Sequence, residues 1–485
     1  MFVSMKPGYG INQYPDAAKV YHQLDKLLAQ DIRPINRVAM ENYLSWFEDH
    51  CQKSKAMITE AREYIPGGVQ HNLAFNYPFP LVFTKAEGAY LHDLDGNTYI
   101  DFLQAGGPTV LGSNYLPVQE KVIEVIKDCG PTTGLFHEYE LKLAKEVNKH
   151  MPSVDMFRML GSGTESVMAA IRVARLATGK KKIIKMGGAY HGWSDQMVYG
   201  LRIPGTGRFE AHGIPRAVTR HTQEFRPNNL NALERKLRLN VIRGGTAAVI
   251  IEPLGPESGT HLLDINFNKG VRELCDKYGA LLIFDEVVTA FRIGLGGAQG
   301  YFDVKPDLTV FGKVIAGGYP AAGGLGGRKD LMSYLAAGIQ GAKKRAMVGG
   351  TLAANPLSSA AGYFTLIAIN EQQACEKSGG AGDRLVKGLQ EIIQRRQLPF
   401  VAYNQGSICH LETSGVMLLK MALNIPKLLK EIKSRKHMME EMGAAYMAEG
   451  LVTLAGSRMY TSMADTDEII DSALEKFDSV LSKIN

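Results

Sequence analysis

Between about residues 118 and 330 the chain switches repeatedly between two hydrophobic patterns, and this constrains the fold more than any other feature. Apolar residues recur at helical spacing over 118–127 and 138–150, whereas 182–185, 247–252 and 280–285 are short apolar runs of strand length. A strand apolar on both faces needs a covering layer on each. The pattern therefore predicts an α/β core with a mostly parallel sheet. At 485 residues the chain has room for two or three domains. The expected division is a helical N-terminal extension over 1–57, a part of the smaller domain over 58–115, a large domain over 116–360 and the rest of the smaller, α+β domain over 361–485.

The flanks read less sharply. Residues 14–62 mix charge with recurring Leu, Met, Val and Ala, as helices wrapped on a body do, until Ile65-Pro66-Gly67-Gly68 breaks the pattern. Residues 88–101 alternate on both sides of Asp95-Gly96-Asn97 and predict a hairpin, and an amphipathic helix is expected over 467–483. The net charge of +6 is spread out, with short basic clusters at Lys180-Lys181-Lys182 and Lys343-Lys344-Arg345, and it predicts no nucleic-acid partner. Five cysteines lack CxxC spacing, which fits reduced thiols and neither a disulfide framework nor a metal site. The opening residues lack the apolar core of a secretion signal, and no apolar run reaches about 18 residues. A cytoplasmic location without membrane contact is expected.

Three stretches of the large domain place reactive side chains where open α/β sheets bind ligands. In Gly161-Ser162-Gly163-Thr164-Glu165 a glycine-rich turn feeds a helical pattern. Its unpaired N–H groups and positive dipole end make a ready phosphate site, to which the hydroxyls of Ser162 and Thr164 add donors. The same residues also describe an ordinary N-capped helix. In Leu281-Leu282-Ile283-Phe284-Asp285-Glu286-Val287 an apolar strand ends in a carboxylate at the sheet's carboxyl edge. Alternation puts Asp285 and Val287 on one face and Glu286 on the other. A carboxylate against a pyridine nitrogen keeps it protonated and the ring electron-withdrawing; a metal-binding or capping aspartate would occupy the same place. In Phe311-Gly312-Lys313-Val314-Ile315-Ala316-Gly317-Gly318 a lysine follows an apolar run and precedes small residues that admit a bulky group. A lysine in such a setting becomes a nucleophile able to form an imine. Tyr190, in Ala189-Tyr190-His191-Gly192, sits at a strand exit where it can stack on a ring, and Gly349-Gly350-Thr351 offers further phosphate donors. A core tyrosine and a plain turn are the alternatives.

In this order and spacing the stretches resemble fold-type I pyridoxal phosphate (PLP) dependent transferases of the class III aminotransferase family, in the branch containing glutamate-1-semialdehyde aminomutase. The resemblance is carried by IPGGV, GAYLHDLDGNTYIDF, GSGTESVMAAIRVARLATGKKKII, AYHGWSD, the long run from DEVVTAFR to GGRKDLM, and GGTLAANP, over about residues 58–365. It implies that Lys313 carries PLP as a Schiff base and that Asp285 holds the pyridine nitrogen. Tyr190 then stacks on the ring, and Gly163 and Thr164 bind the phosphate; Val287, on the face of Asp285, could pack on the ring, and Ser162 and His191 are further candidate cofactor-binding residues. Thr351 would reach the phosphate from a neighbouring subunit, which implies a homodimer with shared active sites.

Two departures bear on the reaction. Aminomutases usually carry a carboxylate-binding arginine shortly after PGGV, where this chain reads Gln70-His71-Asn72-Leu73-Ala74-Phe75. Glu257 stands where aminomutases tend to have asparagine and class III aminotransferases often have glutamate. Such a glutamate can pair with a mobile arginine, for which Arg458 is the candidate. Phe75, Tyr77 and Phe79 suggest an apolar substrate pocket. The expected function is transfer of an amino group from a β- or ω-amino donor, with 3-aminobutyryl-CoA as an example, to a keto acid such as 2-oxoglutarate. Intramolecular aminomutase chemistry is one alternative, and a non-catalytic protein binding a phosphorylated ligand is another.

Overall fold

Along the strand Leu281–Asp285, Leu282 and Phe284 enter one buried apolar cluster and Ile283 enters another. The same split separates Ile183 from Ile184, and Ala248 and Ile250 from Val249 and Ile251. Period-two alternation gives the sheet two apolar faces. The computed structural model, which describes residues 6–74, 76–130, 132, 134–336, 338, 344–420 and 424–485, covers both faces with helices.

Seven strands form this sheet: β1 (Met156–Leu160), β2 (Lys182–Met186), β3 (Thr222–Phe225), β4 (Thr246–Ile251), β5 (Leu281–Asp285), β6 (Leu308–Gly312) and β7 (Gly323–Gly327). Their order is β1-β7-β6-β5-β4-β2-β3. Strand β7 runs antiparallel to β1 and β6, and the other pairings are parallel. The glycines of β7 make room for aromatic packing: a Cβ on Gly324 would lie 2.5 Å from the Phe157 ring, and that ring meets Phe311 at 5.5 Å. Phe284 pairs with Ile251, and Asp285 with Val310, so the carboxyl ends of β4, β5 and β6 lie side by side.

Helices α1 (Leu116–Cys129) and α2 (Glu138–His150) precede β1, α3 (Gly163–Thr178) follows it, and α4 (Phe267–Tyr278) precedes β5. Val167, Ile171 and Ala174 of α3 enter one cluster; Phe267, Val271 and Cys275 of α4 enter the other. Ser162 caps α3 by accepting from Glu165 N at 3.2 Å, and Gly179, at φ +68°, ends it in the left-handed conformation.

The chain divides into two compact units. One comprises Leu116–Cys375 and, among the described residues, also 6–9. It runs past the expected boundary at 360 because helix α5 (Pro356–Gln372) packs on α1, α2 and the turn Lys313–Ala316. Tyr9 bridges Gly294, and its ring fills space that Cβ atoms on Gly294, Gly296 and Gly300 would occupy. The other unit comprises, among the described residues, Gly10–Tyr115 and Glu376–Asn485. It holds the helices Ala17–Ala29, Arg37–His50 and Gln52–Ala61, the expected hairpin Tyr90–Asp93/Thr98–Asp101 and the helix Asp467–Leu481. The hairpin turn is fixed by Asp93, whose Oδ1 accepts from Asp95 N and Asn97 N. No described helix is long and apolar enough to cross a membrane.

Candidate active site

The side chains singled out in the large domain converge on the carboxyl edge of the seven-stranded sheet. Asp285 ends β5 and is 5% exposed. Its Oδ1 accepts from Val287 N at 3.1 Å and its Oδ2 from His191 Nδ1 at 2.7 Å. A carboxylate only accepts, so the imidazole carries its proton on Nδ1. Burial lowers the His191 pKa against the opposing pull of Asp285, which keeps the ring neutral. His191 Nε2 is buried without a hydrogen-bond partner.

Lys313 begins the turn directly after β6, on the strand next to Asp285, with φ at +51°. A lysine in the left-handed region is strained, and such strain gathers at functional sites. Val287 ties this turn to α3. A Cβ on Gly163 would lie 2.8 Å from Val287 Cγ2, and one on Gly312 would lie 2.8 Å from Val287 Cγ1. Both glycines are thus required by close approach, and the first residue of α3 and the residue before Lys313 flank one side chain. Glu286 faces away, as alternation predicts, and accepts from Ala298 N, Gln299 N and Thr289 Oγ1.

Tyr190 and His191 follow β2. The Tyr190 ring is half exposed, and its N–H donates to Glu252 Oε1 at 2.9 Å. Gly349-Gly350-Thr351 lies beside the start of α3: a Cβ on Gly350 would be 3.3 Å from Glu165 Oε2, and Thr351 is exposed.

These residues fit PLP. A buried carboxylate stands ready for a pyridinium N–H, an amine emerges from the adjacent strand, and the N-terminus of α3 offers N–H groups to a phosphate.

The candidate substrate residues are placed differently. Glu257 lies at φ +47° in a short turn whose N–H donates to Glu252 Oε1 at 2.9 Å. Arg458 belongs to the other unit, on the strand Arg458–Tyr460, in register with His410. Its charge acts on Glu412, whose carboxyl is pushed up to about 7 by burial and pulled back by Arg458. Phe79 packs edge-on against Phe47 at 6.0 Å, within the N-terminal helical core, which corrects its expected place in a substrate pocket. Tyr77 meets His437 at 5.8 Å. Phe75 and Lys343 lie outside the described residues.

Two buried charges at the site escaped the sequence reading. Glu252 follows β4 and is 7% exposed; Lys185 lies within β2 and is fully buried. The signal for Glu252 was available, because its strand ends in a carboxylate just as β5 does.

A family model described as "Aminotransferase class-III" matches residues 73–481. Glutamate-1-semialdehyde 2,1-aminomutase of Legionella pneumophila (strain Corby) is 40% identical over 361 residues, 73% of this chain and 82% of the relative. Glutamate-1-semialdehyde 2,1-aminomutase 1 of Lachnoclostridium phytofermentans is 39% identical over 362 residues, 73% of this chain and 83% of the relative. Among solved structures, an omega-transaminase from Sphaerobacter thermophilus superposes with a TM-score of 0.77 at 27% identity, covering 89% of this chain and 97% of that one. A glutamate-1-semialdehyde aminomutase from Pseudomonas aeruginosa gives 0.79 at 22% identity, covering 96% and 99%, and so bears on the fold alone.

Proposed function

This chain belongs to the class III aminotransferase family of PLP-dependent enzymes, and from that premise we propose that it moves an amino group from a β- or ω-amino donor to a keto acid. Bound PLP supplies an electron-withdrawing ring that stabilises negative charge on the donor carbon. Asp285, oriented by hydrogen bonds from His191 Nδ1 and Val287 N, would hold the proton on the pyridine nitrogen. Lys313 Nζ anchors the cofactor and then takes and returns the donor's proton. Ser162, Gly163 and Thr164 would hold the phosphate, and Tyr190 and Val287 would pack on the ring.

The observation that carries intermolecular transfer is the Gln70–Phe75 stretch, which has no guanidinium fork for a substrate carboxylate. A thioester such as 3-aminobutyryl-CoA has no free carboxylate to hold and suits that stretch. Glu257, seated on Glu252, and Arg458 are each candidates for recognising a dicarboxylate keto acid such as 2-oxoglutarate. A second reading, the intramolecular 2,1-amino shift, has the names of the relatives at 39–40% identity in its favour.

One experiment separates the two. Purified enzyme in the PLP form is screened spectroscopically with single amines, then assayed with and without keto acid. Turnover that requires a donor and an acceptor supports transamination; turnover of one amino-aldehyde without acceptor replaces it with the aminomutase reading.

A homodimer with shared sites belongs to the same proposal. Leu135 and Phe136 are 73% and 77% exposed, and Leu116 and Ile126 on α1 are also exposed, a density of large apolar side chains that suits a subunit interface. Sedimentation of the holoenzyme at twice the chain mass is the expected result.

A further inference from the structure

We propose that Lys185 and Glu252 are positioning residues that clamp a single peptide group, Ala189–Tyr190, from its two ends and so fix Tyr190 and His191 relative to Asp285. The inference rests on the reading of Tyr190 as the cofactor's cover.

The clamp is made of direct contacts on both sides of one peptide bond. Lys185 Nζ donates to Ala189 O at 2.8 Å, the carbonyl of that peptide. Glu252 Oε1 accepts from Tyr190 N at 2.9 Å, the N–H of the same peptide. A peptide dipole is negative at its oxygen and positive at its hydrogen, so a cation at one end and an anion at the other is its favoured arrangement. The three protons of the ammonium are matched by three carbonyls, since Lys185 also reaches Tyr199 O at 2.7 Å and Met197 O at 3.5 Å. The carboxylate is as fully used: Oε1 also accepts from Glu257 N at 2.9 Å, and Oε2 from Ser258 N at 2.5 Å.

Each of these charges is buried, and each alone would be costly in a low-dielectric site. Burial pulls Lys185 down to about 8, opposed by Glu224, Glu252, Glu257 and Asp285. Burial, followed by the neighbouring Asp285, pushes Glu252 up to about 8, against the N–H groups of Ser258, Tyr190 and Glu257. Lys185 is thus favoured as a cation by Glu224 and then Glu252, while N–H groups, that of Tyr190 among them, favour Glu252 as an anion, and the Ala189–Tyr190 peptide lies between the two.

The consequence is geometric. With the Ala189–Tyr190 plane fixed, the Cα of Tyr190 is fixed, and the next residue, His191, arrives at Asp285. Glu252 also holds two successive left-handed residues, Glu257 at φ +47° and Ser258 at φ +53°. One carboxylate thus sets both the ring-covering turn and the turn carrying Glu257, a candidate substrate residue.

The test uses holoenzyme variants K185M, E252Q, E252D and the double variant K185M/E252Q, with Y190A as a control. Amide hydrogen exchange is followed over residues 187–193 and over the remote helix Asp467–Leu481, and the cofactor Kd is measured by dialysis. The single variants are expected to speed exchange of the Tyr190 amide about tenfold or more, with the remote helix unchanged, and to weaken cofactor binding about fivefold or more. The double variant is expected to lose less than the product of the two singles, because neither charge is then left alone. If K185M does not fold, E252Q and E252D decide, with E252D expected to recover part of the protection because its charge remains. Exchange and Kd within about twofold of wild type in the glutamate variants, or losses that simply multiply, would overturn the clamp. If Y190A leaves the cofactor Kd unchanged, the reading of Tyr190 as a cover fails instead, and the exchange signature of the clamp still stands as its own readout.

Discussion

His191 and Asp285 lie 94 residues apart in sequence, yet the imidazole Nδ1 meets the carboxylate Oδ2 at 2.7 Å, behind the carboxyl edge of the sheet. A neutral donor steadies the carboxylate without cancelling its charge, which leaves Asp285 able to hold a protonated pyridine nitrogen. Replacing His191 by alanine removes one charge-assisted hydrogen bond inside a buried site. Cofactor affinity is expected to fall about 10- to 100-fold, while H191N, which keeps a donor, stays within about tenfold of wild type. An absorbance titration of the apoprotein with PLP measures both.

The same imidazole gives a stability dependence of known sign. Burial holds its folded pKa below the unfolded value. Folding stability from this group is therefore complete above the unfolded pKa of about 6.5 and is lost as pH falls below it, at up to about 1.4 kcal/mol per pH unit. Denaturant unfolding of the apoprotein at pH 7.5 and pH 5.5 should show a smaller loss for H191N than for wild type. An equal loss in the two proteins would mean that His191 is protonated in the fold.

Lys313 should matter twice, through its amine and through its backbone. K313A is expected to lose about 10³-fold or more in turnover. Because φ is +51° at this position, K313G should be more stable than K313A by about 1 kcal/mol. Chemical denaturation of the two apo variants compares them; equal stability would remove the strain from this turn.

Val287 sets the spacing between α3 and the Lys313 turn. G163A and G312A each bring a Cβ to 2.8 Å from a Val287 methyl, and each should cost about 1–3 kcal/mol. V287A should return part of that loss in the pairs G163A/V287A and G312A/V287A, as thermal unfolding would show.

The strands and the residues at their ends could be read from the chain because both depend on local pattern. Runs such as Leu281–Phe284 require burial on two faces, and a carboxylate directly after such a run has to sit at the sheet's edge. Helix 138–150 was equally plain, since its apolar spacing is uninterrupted. What could not be read depends on partners distant in sequence. Nothing around His191 announces Asp285, and Lys185 in the middle of an apolar strand gives no sign of the three carbonyls that surround it. The left-handed pair Glu257-Ser258 is invisible for another reason: neither residue type favours that conformation, and the turn is held by Glu252 from outside. Ser162 shows that a residue read two ways can satisfy the humbler reading without losing the other, since its Oγ accepts as a cap while its hydroxyl proton remains a donor.

The pairing of Lys313 with Asp285 across one PLP ring is tested most directly by borohydride reduction of the holoenzyme followed by peptide mapping. The phosphopyridoxyl group should appear on the peptide containing Lys313 and on no other lysine, with the visible absorbance band lost in parallel. A label on Lys185, the buried lysine within β2, or on any surface lysine would contradict it.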